Sequence, residues 1–263
     1  MPVTFLENVA KYIFEQHSDN LENSVVVFPG RRAAVFFKKY LSSIPHKTMW
    51  APQMITVAEF FSKLSDIRIL DDLKLLFLLY QIFREETKSP ESFDEFYHWG
   101  GMLLSDFDDT DKYMADAGQL FSNVESLNEI SEKFDGLTEE DIEIIRQFWT
   151  HFNPQKKTEH KDEFIKIWKV LNNIYTRFRE RLINQNEGYE GIVFRDVAEN
   201  VANITFPWEN VFFVGLNALN PCEQKVMKHL QNEGKAEFFW DYDEFYLNQN
   251  HEAGFCLIKK PAS

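Results

Sequence analysis

The chain has 263 residues, of which 44% are hydrophobic and 16% aromatic, enough for one large or two modest domains with an apolar core. Its formal net charge is −14, which excludes binding of duplex DNA by bulk charge alone, because phosphate binding needs a positive surface. Two cysteines without a C-x-x-C spacing predict a reducing, cytoplasmic setting, and no stretch reaches the roughly 18 apolar residues of a membrane span, so we expect no membrane contact.

The first part of the chain alternates between helix and strand patterns. Residues 24–28 form a short β-branched run that ends at Pro29-Gly30, which predicts a buried strand followed by a turn. An apolar stripe at helical spacing predicts a helix before this strand, and another directly after the turn. These two helices are predicted at 4–17 and 31–41, and a second strand at 55–57 and a helix at 57–64 follow.

The middle of the chain, residues 67–203, has almost only helical periodicity. The predicted helices are 73–86, 92–109, 116–124, 142–152, 162–185 and 189–201. Strand patterns return at 210–214 and 236–240, with a helix at 220–232 between them. Strands separated by helices imply a parallel sheet. We therefore predict an α/β fold with a parallel-sheet core at 1–66 and 204–263 and a large all-helical insertion at 67–203.

The negative charge is concentrated in one segment. Residues 91–143 hold 16 acidic residues and two lysines, while the rest of the chain is neutral. Such a charge run is typical of a solvated helical face. A partner-docking surface is the alternative, because aromatic side chains, which are common at interfaces, alternate with the acids. The aromatic residues in question are Phe93, Phe96, Tyr97, Trp99, Phe107 and Tyr113.

The turn after the first strand is the place where α/β proteins bind phosphate. A P-loop needs G-x-x-x-x-G-K-[ST], with the lysine for the phosphates and the hydroxyl for Mg²⁺. Here the turn offers Gly30, Arg31 and Arg32, with no lysine or hydroxyl, so we predict a degenerate nucleotide loop. An ATPase also carries Asp and Glu at a later strand end, where this sequence has Val214 and Gly215. Two independent requirements of hydrolysis are therefore missing.

Other chemistry-bearing patterns are incomplete. The run 106–111 resembles a calcium loop but lacks the glycine at the sixth position and the glutamate at the twelfth. Asp241, Asp243 and Glu252 have the spacing but not the glycine. There is no H-E-x-x-H and no G-x-S-x-G. We expect no metal, no cofactor and no catalytic residue in this chain.

Several stretches, taken in order, resemble one known family. They are 26–33, 51–60, 99–109, 214–223, 239–246 and 251–254. Together they are similar to the N-terminal region of AddB-type subunits of bacterial helicase–nucleases, which belong to the RecB family and bear a PD-(D/E)XK nuclease. The resemblance implies a helicase-like domain of superfamily 1 type, degenerate as a P-loop NTPase, with a helical insertion. It places Glu244 where helicases have a γ-phosphate-sensing glutamine. The nuclease of this family lies further along a longer chain, so we expect it to be missing here.

The resemblance also implies a function in processing double-strand DNA ends for repair. We expect an inactivated helicase-like module that acts as a scaffold and contacts DNA or a helicase–nuclease partner subunit. Candidate DNA-contacting residues are Arg31, Arg32, Lys38 and Lys39, with Arg177, Arg179 and Arg181 as a second set, although each could be ordinary surface charge. A divergent ATP-binding helicase domain and a pure protein-interaction module are the alternatives.

Overall fold

The computed structural model of the chain describes residues 3–44, 50–88, 90–122 and 160–241. In chain order the elements are α1 (Phe5–His17), a 3₁₀ helix (Ser18–Asn23), β1 (Ser24–Phe28), α2 (Arg31–Ser42), β2 (Gln53–Thr56), α3 (Val57–Ser62), β3 (Arg68–Ile69), α4 (Asp72–Thr87), α5 (Phe93–Lys112), α6 (Ala117–Ser122), α7 (His160–Ile183), β4 (Glu187–Gly188), α8 (Glu190–Asn200), a 3₁₀ helix (Val201–Asn203), β5 (Asn210–Val214), α9 (Pro221–Asn232) and β6 (Ala236–Phe239). The predicted strand at 24–28 and the predicted strand at 210–214 have the bounds that the structure gives them.

Four of the strands form one parallel sheet in the order β2-β1-β5-β6. Val27 in β1 pairs with Ile55 on one side and with Phe213 on the other. The chain leaves β1 through α2 toward one edge and later returns to add β5 and β6 on the opposite side. The order in which strands are added therefore reverses between β1 and β5, as in doubly wound α/β folds. The prediction of an α/β fold with a parallel sheet is confirmed.

The residues of β1 explain why this strand lies at the centre of the sheet. All five are buried, because a strand of a parallel sheet that is covered on both faces has no exposed side. Val26 and Phe28 pack in one apolar cluster with Ile13 of α1 and Phe37 of α2. These groups belong to the first of two compact units, which comprises Met1–Leu64, Val201–Leu219 and Glu223–Ser263.

The second unit, Ser65–Asn200 with Asn220–Cys222, holds α4, α5, α7 and α8 around its own apolar cluster. One part of the prediction for this stretch is wrong, because it is not entirely helical. β3 and β4 form a parallel pair in which Arg68 lies opposite Glu187 and Ile69 opposite Gly188. Each strand is only two residues long, so neither produces the alternation of apolar and polar residues by which strands are recognised in a sequence.

The described part of the acidic segment is built mainly on α5. Ser92 caps this helix, and Glu95 completes the capping box by accepting from the Ser92 amide. Phe96, Trp99 and Phe107 are buried in the core of the second unit, so these aromatic side chains stabilise the fold. Tyr97 and Tyr113 are exposed. The aromatic residues that suggested a docking surface therefore face mainly inward, which favours the solvated helical face. The segment's residues from 123 onward lie outside the described part of the chain.

Candidate functional site

The crevice at the carboxyl ends of β1 and β5 is the candidate site, because ligands of open α/β sheets bind where the strand order reverses. The two strands run side by side with Val25 opposite Val211 and Val27 opposite Phe213. Consequently the loop that follows β1 and the loop that follows β5 leave the sheet at neighbouring positions. The degenerate nucleotide loop predicted from the sequence is the first of them, and the Val214-Gly215 pair lies at the start of the second.

The loop after β1 passes directly into α2 through Gly30. Gly30 has an extended backbone (φ −159°, ψ 158°), which any residue adopts, and an added Cβ would meet no atom within 4 Å. No side chain caps the helix, and its first turn contains no acidic residue. The first amide groups of α2 and the side chains of Arg31 and Arg32 thus form an electropositive end that suits an anion but offers no magnesium ligand.

The loop after β5 starts with Val214, which is buried, and Gly215, which has φ +70°. This left-handed conformation is strained for residues with a Cβ, which accounts for glycine at the position. The Gly215 amide donates to the Phe239 carbonyl of the neighbouring strand over 2.8 Å. The strand end is therefore closed by backbone pairing, and neither residue has a side chain that could ligate a metal or activate water.

Glu59 lies beside this site because β2 runs straight into α3. Thr56, the last residue of β2, caps α3, and its amide donates to Glu59 Oε2 over 2.9 Å. Glu59 Oε1 in turn accepts from Arg31 Nη2 over 2.9 Å. The Arg31 side chain is 84% exposed, so this ion pair contributes little to stability. Its effect is to place one carboxylate against the electropositive end of α2.

The pKa of the Glu59 carboxyl lies below its ordinary value, first because the Thr56 backbone amide donates to the carboxylate and second because Arg31 does. A depressed carboxyl pKa contributes stability above the unfolded-state pKa, about 4.3, and loses that contribution as the pH falls through the folded-state value. In an NMR titration of the side-chain carboxyl carbons we expect Arg31→Ala to raise the Glu59 midpoint only part of the way. Lys11→Ala, which removes an exposed cation paired with Glu7 on α1, should leave it unchanged. A complete return to the ordinary value in Arg31→Ala would contradict the dominant contribution of Thr56.

The four candidate DNA-contacting residues are spread along α2 and do not lie at one end of it. Arg31 and Arg32 are in the first turn of the helix and Lys39 is in the last, about 10 Å further along the axis. All four are exposed, together with two apolar side chains between them. We call this surface the basic face of α2, and it consists of Arg31, Arg32, Val35, Phe36, Lys38 and Lys39.

The second set of arginines is largely engaged with carboxylates of the second unit. Arg177 Nη2 contacts Glu85 Oε2 over 2.6 Å, and its Nη1 contacts Glu86. Arg179 donates through Nε to Asp111 Oδ1 over 3.2 Å. Both arginines therefore pair with carboxylates of their own unit, Arg177 at the surface and Arg179 with a buried aspartate, which leaves less of their charge for phosphate. Arg181 lies half-buried in the last turn of α7.

Sequence reasoning missed the buried carboxylate of Asp111, which four side chains contact. Asp111 Oδ1 accepts from Tyr175 Oη over 2.8 Å and Oδ2 accepts from Tyr189 Oη over 2.5 Å. Arg179 Nε and Arg195 Nη1 lie 3.2 and 3.3 Å from Oδ1. Burial, followed by the charge of Asp111, raises the pKa of both tyrosines, so they stay protonated as donors. The donors to Asp111 come from α7, from α8 and from the residue directly before α8, and no local sequence pattern predicts these contacts.

The helical conformation of residues 106–111 also determines whether this run can form a calcium loop. These residues lie within α5, not in a loop, so their carboxylates cannot wrap around one ion as a calcium loop does. Among the described residues, no three His, Cys, Asp or Glu side chains are grouped to hold a metal ion. The other calcium-like pattern includes Asp243 and Glu252, which lie outside the described residues, as does Glu244.

Comparison with known proteins does not identify a family for this chain. The sequence matches no protein-family model and no curated protein. In the part of the chain that the structure describes, no helix combines the length and the apolar character that crossing a bilayer requires.

Proposed function

We propose that the chain is an inactivated helicase-like module of a DNA double-strand-break-repair helicase–nuclease subunit. In this role it retains the parallel-sheet core of a P-loop NTPase of superfamily 1 type but neither binds magnesium nor hydrolyses ATP. It acts as a scaffold that contacts DNA or a partner subunit.

The observation that carries this proposal is the composition of the two neighbouring strand ends. Hydrolysis of a nucleoside triphosphate needs a lysine and a hydroxyl after the first strand and acidic groups after the second. The crevice between β1 and β5 instead presents Gly30 and Arg31 on one side and Val214 and Gly215 on the other. The parallel sheet has both loops, and neither loop carries those groups.

The basic face of α2 supports the contact role. It carries four cations and no acid in a chain whose formal charge is −14. Because the negative charge is concentrated in residues 91–143, the first unit can present a positive surface despite the overall balance.

The absence of nucleotide binding is tested by isothermal titration of the full chain with Mg-ATP, together with an assay of phosphate release. We expect no saturable heat up to millimolar nucleotide and no phosphate release, because the loop after β1 lacks the lysine and hydroxyl of a P-loop and the loop after β5 lacks the acidic groups that hold Mg²⁺ and activate water. Micromolar binding that Arg31→Ala abolishes and Lys11→Ala preserves would instead establish the divergent ATP-binding domain. Lys11 is the matched control because it is an exposed cation in an ion pair of the same unit.

The contact role is tested with a fluorescently labelled DNA duplex end at low salt. Binding that weakens in Lys38→Ala and Lys39→Ala but not in Lys11→Ala supports DNA as the contact of this face. Absence of DNA binding, combined with co-purification of a defined helicase partner, supports the pure protein-interaction module.

A further inference from the structure

The basic face of α2 has an apolar centre. Val35 is 68% exposed and Phe36 is 42% exposed, while Phe37 and Leu41 of the same helix are buried in the core of the unit. Val35 and Phe36 lie three to five residues from the arginines and two to four from the lysines, so the cations flank them along the helix. An apolar centre within a charged rim is the composition of a protein interface.

The charges of this face are available to a partner. Arg31 pairs with Glu59, but among the described residues Arg32, Lys38 and Lys39 form no ion pair. α2 itself contains no acidic residue. Within the described part of the chain these three cations thus have no counter-charge, and an occupant that supplies carboxylates would complement the face.

The same geometry favours a protein over a single-stranded nucleic acid as the occupant. Single-stranded nucleic acids bind by stacking bases on free aromatic ring faces. Here the Arg32 guanidinium carbon lies 5.9 Å from the Phe36 ring centroid, so this cation already occupies one face of the ring. Val35, the more exposed of the two central side chains, is aliphatic and has no ring on which a base could stack.

We infer that the basic face of α2 docks an acidic amphipathic helix of another protein, with apolar residues of that helix over Val35 and Phe36 and its carboxylates against Arg32, Lys38 and Lys39. Ridges of residues four apart, such as Arg31–Val35–Lys39, are the features along which one helix packs on another. The inference rests on the proposed scaffold function, because it names the kind of partner that the scaffold holds.

The test uses the full chain and a fluorescent synthetic peptide of about five helical turns. Leucines of this peptide follow the i, i+3, i+4, i+7 pattern, and glutamates flank them. Fluorescence anisotropy should show salt-sensitive binding at least about tenfold tighter than that of a scrambled peptide of the same composition. Val35→Glu and the double variant Lys38→Glu/Lys39→Glu should each weaken binding about tenfold or more. Lys11→Glu, on the exposed surface of α1, should not.

Three results would overturn the inference. They are no binding of the acidic peptide at millimolar concentration, equal binding of the scrambled peptide or of a version with lysines in place of the glutamates, and unchanged binding in Val35→Glu. Stronger binding of a labelled DNA duplex or of phosphatidylserine vesicles at the same residues would also replace the proposed occupant. None of these results involves the nucleotide crevice, so failure of this inference and failure of the proposed function are separate outcomes.

Discussion

Replacement of Asp111 by asparagine should destabilise the second unit by about 2–4 kcal/mol, because it removes the negative charge that two partly buried arginines share. The amide keeps one oxygen for the donors at the Oδ1 position, so the shape of the site survives while its charge balance does not. We place the cost below that of fully isolating a buried charge because the side chains of Arg179 and Arg195 remain 27% and 19% exposed. Arg195 also keeps its contact with Glu199.

The measurement is thermal unfolding combined with amide hydrogen exchange of α5 and α7, which reports on the second unit by itself. A loss of this size corresponds to a decrease in Tm on the order of 10 °C. Asp109→Asn is the matched control, because Asp109 is an exposed aspartate of the same helix and should change stability by less than about 0.5 kcal/mol. Equal stabilities of the two variants would show that the Asp111 network does not hold α5 to its neighbours.

The Asp111 network marks the limit of prediction from this sequence. The run 106–111 has the composition of a metal loop, and the helix predicted at 92–109 ends two residues before Asp111, whereas α5 continues to Lys112. Tyr175 and Tyr189 lie 64 and 78 residues away along the chain, so their hydroxyl contacts depend on tertiary packing. The same limit applies to Arg177, whose partners on α4 are about ninety residues distant.

The main sheet was predictable because its signals are local and strong. The valine run of β1 stands out from polar neighbours and ends at Pro29-Gly30, and the run in β5 is equally distinct. Helix α3 shows why a boundary is harder to place. Val57 continues the apolar strand pattern of β2, but the Thr56–Glu59 capping box already starts the helix there. The candidate site shows the same contrast between local and long-range signals. Its loops were predictable from local sequence, and the ion pair between Arg31 and Glu59 was not.

Replacement of Gly191 by alanine should destabilise the packing of α8 against α5 by about 3 kcal/mol, the cost of overpacking a contact that cannot relax. A Cβ at Gly191 would lie 2.4 Å from the backbone oxygen of Asp108, and backbone within α5 cannot move aside as a flexible side chain could. The Gly191 amide also donates to Asp108 Oδ1 over 2.6 Å, so a shift of α8 would strain this hydrogen bond as well.

Gly101→Ala is the control for Gly191→Ala, because both glycines lie in helices of the second unit. A Cβ at Gly101 meets no atom within 4 Å, so the higher helix propensity of alanine should stabilise α5 by up to about 1 kcal/mol. The two substitutions add the same methyl group and should therefore change the stability in opposite directions, which urea unfolding with hydrogen exchange of α5 and α8 measures. If both variants were as stable as the parent chain or more so, the close approach of α8 to the Asp108 carbonyl would be wrong, and with it the position of α8 in the second unit.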